Sequence, residues 1–239
     1  MGNQLRELLQ RGRRIVFFGG AGVSTESGLP DFRSGGGLYS RDTGTSHPPE
    51  EVLSHSFFSS HPADFFDYYR PPLLHPDARP NAAHLALARL EAAGRLTAVV
   101  TQNIDGLHQA AGSRTVLELH GSVHRNRCLG CGRSHGLDAI LARPGVPTCE
   151  CGSTIRPEVV LYEEALDPQV VAAAVQHIAA ADTLVVGGTS LVVYPAAGLV
   201  RLFGGDQLVL INREPTPFDH LATLVLHEPI GAALAAAVP

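Results

Sequence analysis

Arg14-Ile15-Val16-Phe17-Phe18-Gly19-Gly20-Ala21-Gly22-Val23-Ser24-Thr25 is a short apolar run that ends in a cluster of glycines. Arg14 to Phe18 reads as a strand covered on both faces, because such a strand carries apolar side chains without polar alternation. The glycines let the backbone turn tightly and bring several N–H groups onto a pyrophosphate. A plain structural turn is the competing reading. A dehydrogenase-type fingerprint wants a third glycine where Thr25 stands and an acidic residue closing the second strand about 20 residues on. Asp42 has that spacing but sits in a loop.

Five further runs share the character of the first: Thr97 to Thr101, Val116 to Leu119, Thr183 to Gly187, Gln207 to Ile211 and Thr223 to Leu226. Each follows a stretch with helical patterning or a polar loop, the rhythm of parallel βαβ units. Asn81 is placed to cap a helix through Glu91 that stops near Gly94, and Asp167-Pro168 opens another. The Ala-rich tail Gly231 to Val238 reads as a closing helix. The fold class is α/β, a Rossmann-like parallel sheet of about six strands. Two segments break the rhythm: residues 28–79, rich in Pro, His, Ser and Phe, and residues 121–157, which hold every cysteine. They predict a helical or loop insertion and a zinc-binding insertion within a single domain spanning 1–239.

The chain has 239 residues and a formal net charge of −5, long enough for a full core and against a broad nucleic-acid footprint, which needs clustered cations. No apolar run approaches the roughly 20 residues of a membrane span. Met1 to Gln10 lacks the pattern of a secretory signal, so the expected location is the cytoplasm, with no membrane partner. Cys128, Cys131, Cys149 and Cys151 form two close pairs separated by 17 residues. In a reducing compartment, four such cysteines point to a metal rather than to disulfides. Four thiolates close a tetrahedron, so the predicted ion is one structural Zn²⁺ with no open position for water. The second pair, Cys-x-Cys, is one residue tighter than a common zinc knuckle.

Gly20 through Arg33, Gly-Ala-Gly-Val-Ser-Thr-Glu-Ser-Gly-Leu-Pro-Asp-Phe-Arg, closely resembles the cofactor-binding loop of the sirtuins over fourteen consecutive positions. Thr101-Gln102-Asn103-Ile104-Asp105, His120-Gly121, Gly188-Thr189-Ser190 and Leu210-Ile211-Asn212 resemble further sirtuin motifs in the same order. Phe17-Phe18-Gly19 and Val160-Leu161-Tyr162-Glu163-Glu164 are similar to the bacterial undifferentiated class. The resemblance implies an NAD⁺-dependent protein-lysine deacetylase with NAD⁺ as co-substrate and acetyl-lysine proteins as partners. It implies NAD⁺ contacts from Gly20, Ala21, Gly22, Thr25, Asp31, Phe32, Arg33, Gln102, Asn103, Ile104, Asp105, His120, Gly188, Thr189, Ser190 and Asn212. Within this set Gln102 reaches a ribose, and Ile104 with Asp105 holds the nicotinamide amide. Asp105 offers a carboxylate acceptor, Phe32 an apolar wall, and Arg33 a cationic fork for pyrophosphate or for an ion pair of its own.

His120 closes the strand Val116 to Leu119, and the carboxyl ends of strands are where open α/β sheets place ligand-contacting groups. It is the candidate general base, since an imidazole that titrates near neutrality can take a ribose hydroxyl proton. In the reaction that the resemblance implies, the acetyl oxygen of the modified lysine attacks the ribose carbon that carries nicotinamide. The deprotonated hydroxyl then takes over the acetyl group, and water completes its transfer to ADP-ribose. Ser24 and Ser27 read as loop hydrogen-bonders rather than nucleophiles. His84 and His177 fall within helices, and His47, His55, His61 and His75 in loops.

By the same resemblance, Glu158 to Glu163 and Leu191 to Tyr194 clamp an added peptide strand. Glu163 stands where many sirtuins have glycine. Sirtuins that prefer succinyl-lysine carry a Tyr-x-x-Arg pair, and counting back from His84 places Phe66 and Tyr69 at those positions, with Arg70 one residue beyond. Acetyl is therefore the expected acyl group. A non-catalytic NAD⁺ or ADP-ribose sensor, a mono-ADP-ribosyltransferase and a zinc-ribbon nucleic-acid module compete with this reading. A sensor has no need of a base at His120, and the negative charge weighs against the zinc ribbon.

Overall fold

The computed structural model describes residues 2–32, 36–40, 42–142 and 144–238. Its strands are β1 (Ile15–Gly19), β2 (Leu96–Thr101), β3 (Val116–Glu118), β4 (Gly121–Cys128), β5 (Ser134–His135), β6 (Ile155–Val159), β7 (Thr183–Gly187), β8 (Gln207–Ile211) and β9 (Leu224–Leu226). The six runs read from the sequence as strands form one parallel sheet in the order β3-β2-β1-β7-β8-β9. All five residues of β1 and of β7 are buried, which explains their apolar composition without alternation.

Alternate β1 side chains serve two separate cores. Ile15 and Phe17 pack with Leu5 and Leu9 of the first helix, with Ala86, Leu87 and Leu90 of helix Ala82–Ala92, and with Leu234 of helix Ile230–Ala237. Val16 and Phe18 face the other way, toward Ala174 and Ile178 of helix Pro168–Ala180 and Leu199 and Val200 beyond it. The caps are as the residue types predict. Asn81 accepts the Ala83 amide at 2.9 Å, and Asp167 accepts those of Gln169 and Val170 at 2.7 and 3.4 Å.

Between β1 and β2 the chain builds short helices, including His55–Ser60 and Pro62–Leu73. His55 therefore opens a helix rather than lying in a loop, and His61 is the junction before the next one; Ser54 caps the first by accepting the Phe57 amide at 3.2 Å. Between β3 and β7 the chain forms a small antiparallel sheet, β5-β4-β6. These two segments share a third core. Phe57, Phe58, Phe65, Phe66 and Tyr69 pack with Val123, Ile140, Ile155 and Val159.

The strand order reverses between β1 and β7, the place where an open α/β sheet leaves a crevice at its carboxyl edge. Gly19, Thr101 and Gly187 stand in register there. Beneath that edge lie His84 and His108, 0 % and 1 % exposed, with ring centroids 4.7 Å apart. His84 Nδ1 accepts the Asn81 amide at 3.2 Å. Its Nε2 and both nitrogens of His108 have no hydrogen-bond partner among the described residues. Burial, reinforced by repulsion from His84 whenever that ring is protonated, pulls the His108 imidazole down to about 3, and burial lowers His84 as well.

His108 is thus neutral in the folded protein near neutral pH and takes up a proton far more readily once unfolded. The His108 contribution to stability is complete above about pH 6.5 and is lost as the pH falls toward 3, at about 1.4 kcal/mol per pH unit once the unfolded form is protonated, and the lowered His84 acts in the same direction. Urea unfolding at pH 7, 6 and 5 should show this loss, and His108→Phe should give a shallower one. An equal slope in the variant would remove His108 from the account.

Candidate active site

The glycine loop leaves β1 and folds back against the end of β7. The Gly20 and Gly22 amides donate to the Gly187 and Gly188 carbonyls at 3.2 and 2.8 Å. A Cβ on Gly22 would lie 2.8 Å from Gly188 Cα, and one on Gly188, whose φ is +59°, 2.3 Å from the Val23 nitrogen. These glycines are therefore required for backbone contact between two loops, and the Gly20 and Gly22 N–H groups are engaged within the protein.

Asp105 is reached across 81 residues of sequence by Ser24, whose Oγ donates to its Oδ2 at 2.6 Å and accepts from Asn103 Nδ2 at 3.1 Å. The other Asp105 oxygen takes the Leu107 amide at 2.9 Å. The carboxylate is held from two sides, and its side chain is only partly buried. Gln102 Nε2 donates to Thr189 Oγ1 at 3.1 Å, joining the β2 end to the β7 end. Thr25 donates to the Gly22 carbonyl at 3.0 Å, and Phe32 packs edge-on to Tyr39 at 5.6 Å. Asp31 accepts the Leu38 amide through its backbone carbonyl at 2.8 Å. Ala21 is half-buried in the loop and Ser190 is exposed beyond Thr189. Ile104 is half-buried against the third core. Asn212, at the end of β8, spends its side-chain N–H on the Glu214 carbonyl at 2.7 Å. Arg33 lies outside the described residues.

His120 sits where the chain passes from β3 to β4. Its Nδ1 lies 2.9 Å from the Gln102 carbonyl. A carbonyl only accepts, so Nδ1 carries the proton and Nε2 keeps its lone pair. Burial lowers the imidazole below its ordinary value, although the Gln102 carbonyl favours the charged form. The His120 carbonyl accepts the Val160 amide at 2.9 Å. Gly121 follows at φ +78°, with Glu158 O only 2.0 Å from where a Cβ would stand. Only glycine lets β4 and β6 approach so closely beside the histidine.

The four cysteines close on one point. Their sulfurs lie within 4.8 Å of one another, Cys128 to Cys151 at 3.4 Å and Cys131 to Cys149 at 3.8 Å. No disulfide joins them. Sulfurs on a tetrahedron with Zn–S of ~2.3 Å stand ~3.8 Å apart, so the donor set fits Zn²⁺. The tight Cys-x-Cys is accommodated by a turn in which the Gly152 amide donates to the Cys149 carbonyl at 2.9 Å with φ +85°. Arg133 and Glu150 pair across the two knuckles at 2.5 Å.

The sequence profile described as "Sir2 family" matches residues 20–195, more than half of the chain. The chain belongs to the Sir2 family. It is 59% identical over 235 residues to an NAD-dependent protein deacetylase of Cutibacterium acnes, covering 98% of this chain and 96% of that protein. A protein of the same name from Clostridium acetobutylicum is 54% identical over 234 residues, covering 97% and 96%. Among solved structures, a Sir2–p53 peptide–NAD+ complex superposes with a TM-score of 0.85 at 40% identity, covering 98% of this chain and 95% of that one. A Sir2 variant with deacetylated p53 peptide and 3'-O-acetyl ADP ribose superposes with a TM-score of 0.88 at 39% identity, covering 98% and 96%.

In this Sir2 chain two residues organise the site beyond what their local sequence signals. Ser24 was legible only as a loop hydrogen-bonder. Asn81 was legible only as a helix cap, yet its amide also braces the glycine loop through the Val23 carbonyl at 2.8 Å and Ser27 Oγ at 3.0 Å. Neither partner is visible in local spacing.

Cys128 and Cys149 also belong to the third core, so loss of metal should loosen that core and spare the large sheet. Metal analysis of freshly purified protein should give one zinc per chain. Chelation or Cys149→Ser should speed amide exchange in residues 121–159 well before β1 or β7. Metal content well under one per chain, or uniform exchange throughout, would count against the site.

Proposed function

We propose that this chain is an NAD⁺-dependent protein-lysine deacetylase, a single catalytic domain over residues 1–239 with insertions at 28–79 and 121–157 and one structural zinc. The observation that carries the proposal is His120: a partly buried imidazole with its proton held at Nδ1 and an open Nε2 on the strand edge that bears Gln102, Asp105 and the glycine loop. No sensor requires that geometry. The relatives named as deacetylases match nearly the whole chain.

NAD⁺ supplies the electrophilic ribose carbon and the nicotinamide leaving group. Acetyl-lysine, NAD⁺ and water go to lysine, nicotinamide and O-acetyl-ADP-ribose, with no net oxidation. His120 Nε2 takes the ribose hydroxyl proton, and the Gln102 carbonyl keeps the ring oriented. Asp105, fixed by Ser24 and the Leu107 amide, presents acceptors for the nicotinamide amide. Gly20, Ala21, Gly22, Thr25, Asp31, Phe32 and Arg33 form the NAD⁺ wall on one side. Asn103, Ile104, Gly188, Thr189, Ser190 and Asn212 complete it on the other. The substrate protein lies as an added strand between Glu158–Glu163 and Leu191–Tyr194. No described helix is long and apolar enough to cross a membrane. Four unpaired cysteines fit a reducing compartment, and we place the protein in the cytoplasm.

Purified protein with an acetyl-lysine peptide should release nicotinamide and acetylated ADP-ribose only when NAD⁺ is present. His120→Ala should lower turnover about 10²- to 10⁴-fold with NAD⁺ binding retained. Because burial lowers the His120 imidazole, the acid limb of kcat/KM should fall below pH 6.5 rather than at or above it. Near-parent turnover in the variant would refute the base assignment.

The acyl pocket supports acetyl. Phe66 and Tyr69 are buried in the third core, and the Tyr69 hydroxyl, pushed up by burial, offers no charge. Arg70 is committed elsewhere: Nε donates to the Ile140 carbonyl at 2.8 Å, Nη2 to that of Gly145 at 2.5 Å, and the guanidinium lies 5.2 Å from the Phe66 ring centre. A succinyl carboxylate would be buried without a cation, a cost of about 3–5 kcal/mol. Acetyl and succinyl peptides of one sequence should therefore differ by at least about 10² in kcat/KM. Equal efficiencies would overturn the preference.

A further inference from the structure

Glu163 is one of two described non-glycine residues with positive φ, at +75°. An L side chain is held there only when its surroundings over-determine it. Both carboxylate oxygens are engaged at one residue: Oε2 accepts the Ser56 amide and Oε1 the Ser56 hydroxyl, each at 2.9 Å. The backbone before it is tied to the same helix entrance. Tyr162 N donates to Leu53 O at 3.1 Å and His55 N to Tyr162 O at 3.0 Å, forming a parallel bridge between Ser54 and Tyr162. Glu164 adds a second tie, accepting from His55 Nδ1 at 2.8 Å and Arg156 Nη2 at 2.5 Å. At its other end the segment is anchored by the Val160 amide on the His120 carbonyl.

We propose that Glu163 is a positioning residue for the substrate peptide: its clasp on Ser56 sets the segment Val160–Tyr162 as a preformed edge beside His120. This rests on the reading above that Glu158–Glu163 is one wall of the peptide cleft. A glycine at 163 adopts φ +75° without strain but has no side chain with which to clasp. The two properties therefore separate in Glu163→Gly: folding stability is kept, while the edge must be ordered when peptide binds.

The test combines steady-state kinetics with amide exchange on the parent, Glu163→Gly and Glu163→Gln. Glu163→Gly should raise the KM for acetyl peptide about fivefold or more, with kcat and the KM for NAD⁺ within about twofold. Its thermal midpoint should not fall, and its Tyr162 amide should exchange faster. Glu163→Gln keeps one carbonyl acceptor for Ser56 and should recover part of the peptide KM. An unchanged peptide KM, or a rise in both KM values alike, overturns the proposal. If no variant deacetylates, the function reading fails, and exchange at Tyr162 still decides the clasp: an unchanged rate overturns it.

A second observation stands apart from the first. All 18 residues of the lysine-plus-arginine total are arginine; none of the 239 is lysine. We infer that this deacetylase is chemically exempt from the modification it removes. Acylation by an acyl phosphate needs an amine nitrogen that attacks the acyl carbon as phosphate leaves, and a guanidinium, always charged, offers none. The pairs that hold the peptide segment, Arg127 with Glu158 at 2.6 Å and Arg156 with Glu164, therefore cannot be neutralised this way. After exposure to acetyl phosphate the parent should carry no stable side-chain acetyl group by mass spectrometry and keep its activity. Arg156→Lys should become acetylated and lose activity. Stable side-chain acetylation or inactivation of the parent, or a treated Arg156→Lys as active as before, overturns the inference.

Discussion

Gly22 and Gly188 meet backbone to backbone, with the Gly22 amide on the Gly188 carbonyl at 2.8 Å. That contact lets the loop after β1 lie against the loop after β7, at the point where the strand order reverses. It also presents Ser24 toward Asp105 on the neighbouring β2 loop. Any Cβ at these glycines would push the two loops apart and separate the groups that converge on the sheet's carboxyl edge. That convergence is thus a consequence of missing side chains as much as of those present.

A second constraint works at Gly121, where β4 turns away from the large sheet with Glu158 O too close for any other residue. The turn places His120 at the boundary between the large parallel sheet and the small sheet beside the cysteines. Through the Val160 amide the same residue joins segment 158–163, so the proposed base and the proposed peptide edge share one piece of backbone. The third core sits behind this arrangement. It packs the helices of residues 49–73 on β4 and β6, and a metal tetrahedron at its far end would keep β4 and β6 in place at little cost in chain length.

Exposure to water sorts the titratable groups. His84 and His108 are sealed beneath the strand edge, where burial disfavours their charged forms, an acid-labile part of the scaffold. His120 is less deeply buried, bonded at one nitrogen and open at the other. Glu164 accepts a backbone amide together with His55 and Arg156, and these donors hold its carboxyl below the usual range in spite of burial. The same residue types serve structure in one place and the proposed chemistry in another because their partners differ.

Much was legible in order along the chain. The β-branched runs of β1, β7 and β8 announce buried parallel strands, because both faces must be apolar. Asn81 and Asp167 announce helix starts, because their side chains reach amides two or three residues on. The cysteine pairs and the fourteen-residue loop carry their own spacing. What only the tertiary structure decided lies in contacts between distant residues: the shared core of residues 49–74 and 123–161, and Ser24 on Asp105. Also beyond local reading were Arg70 on the Gly145 carbonyl, the proton on His120 Nδ1 and the clasp of Glu163 on Ser56. Local pattern determines backbone geometry, because propensities and caps act over a few residues. The partner of a side chain is set by how separate segments pack, and no spacing in the sequence encodes that.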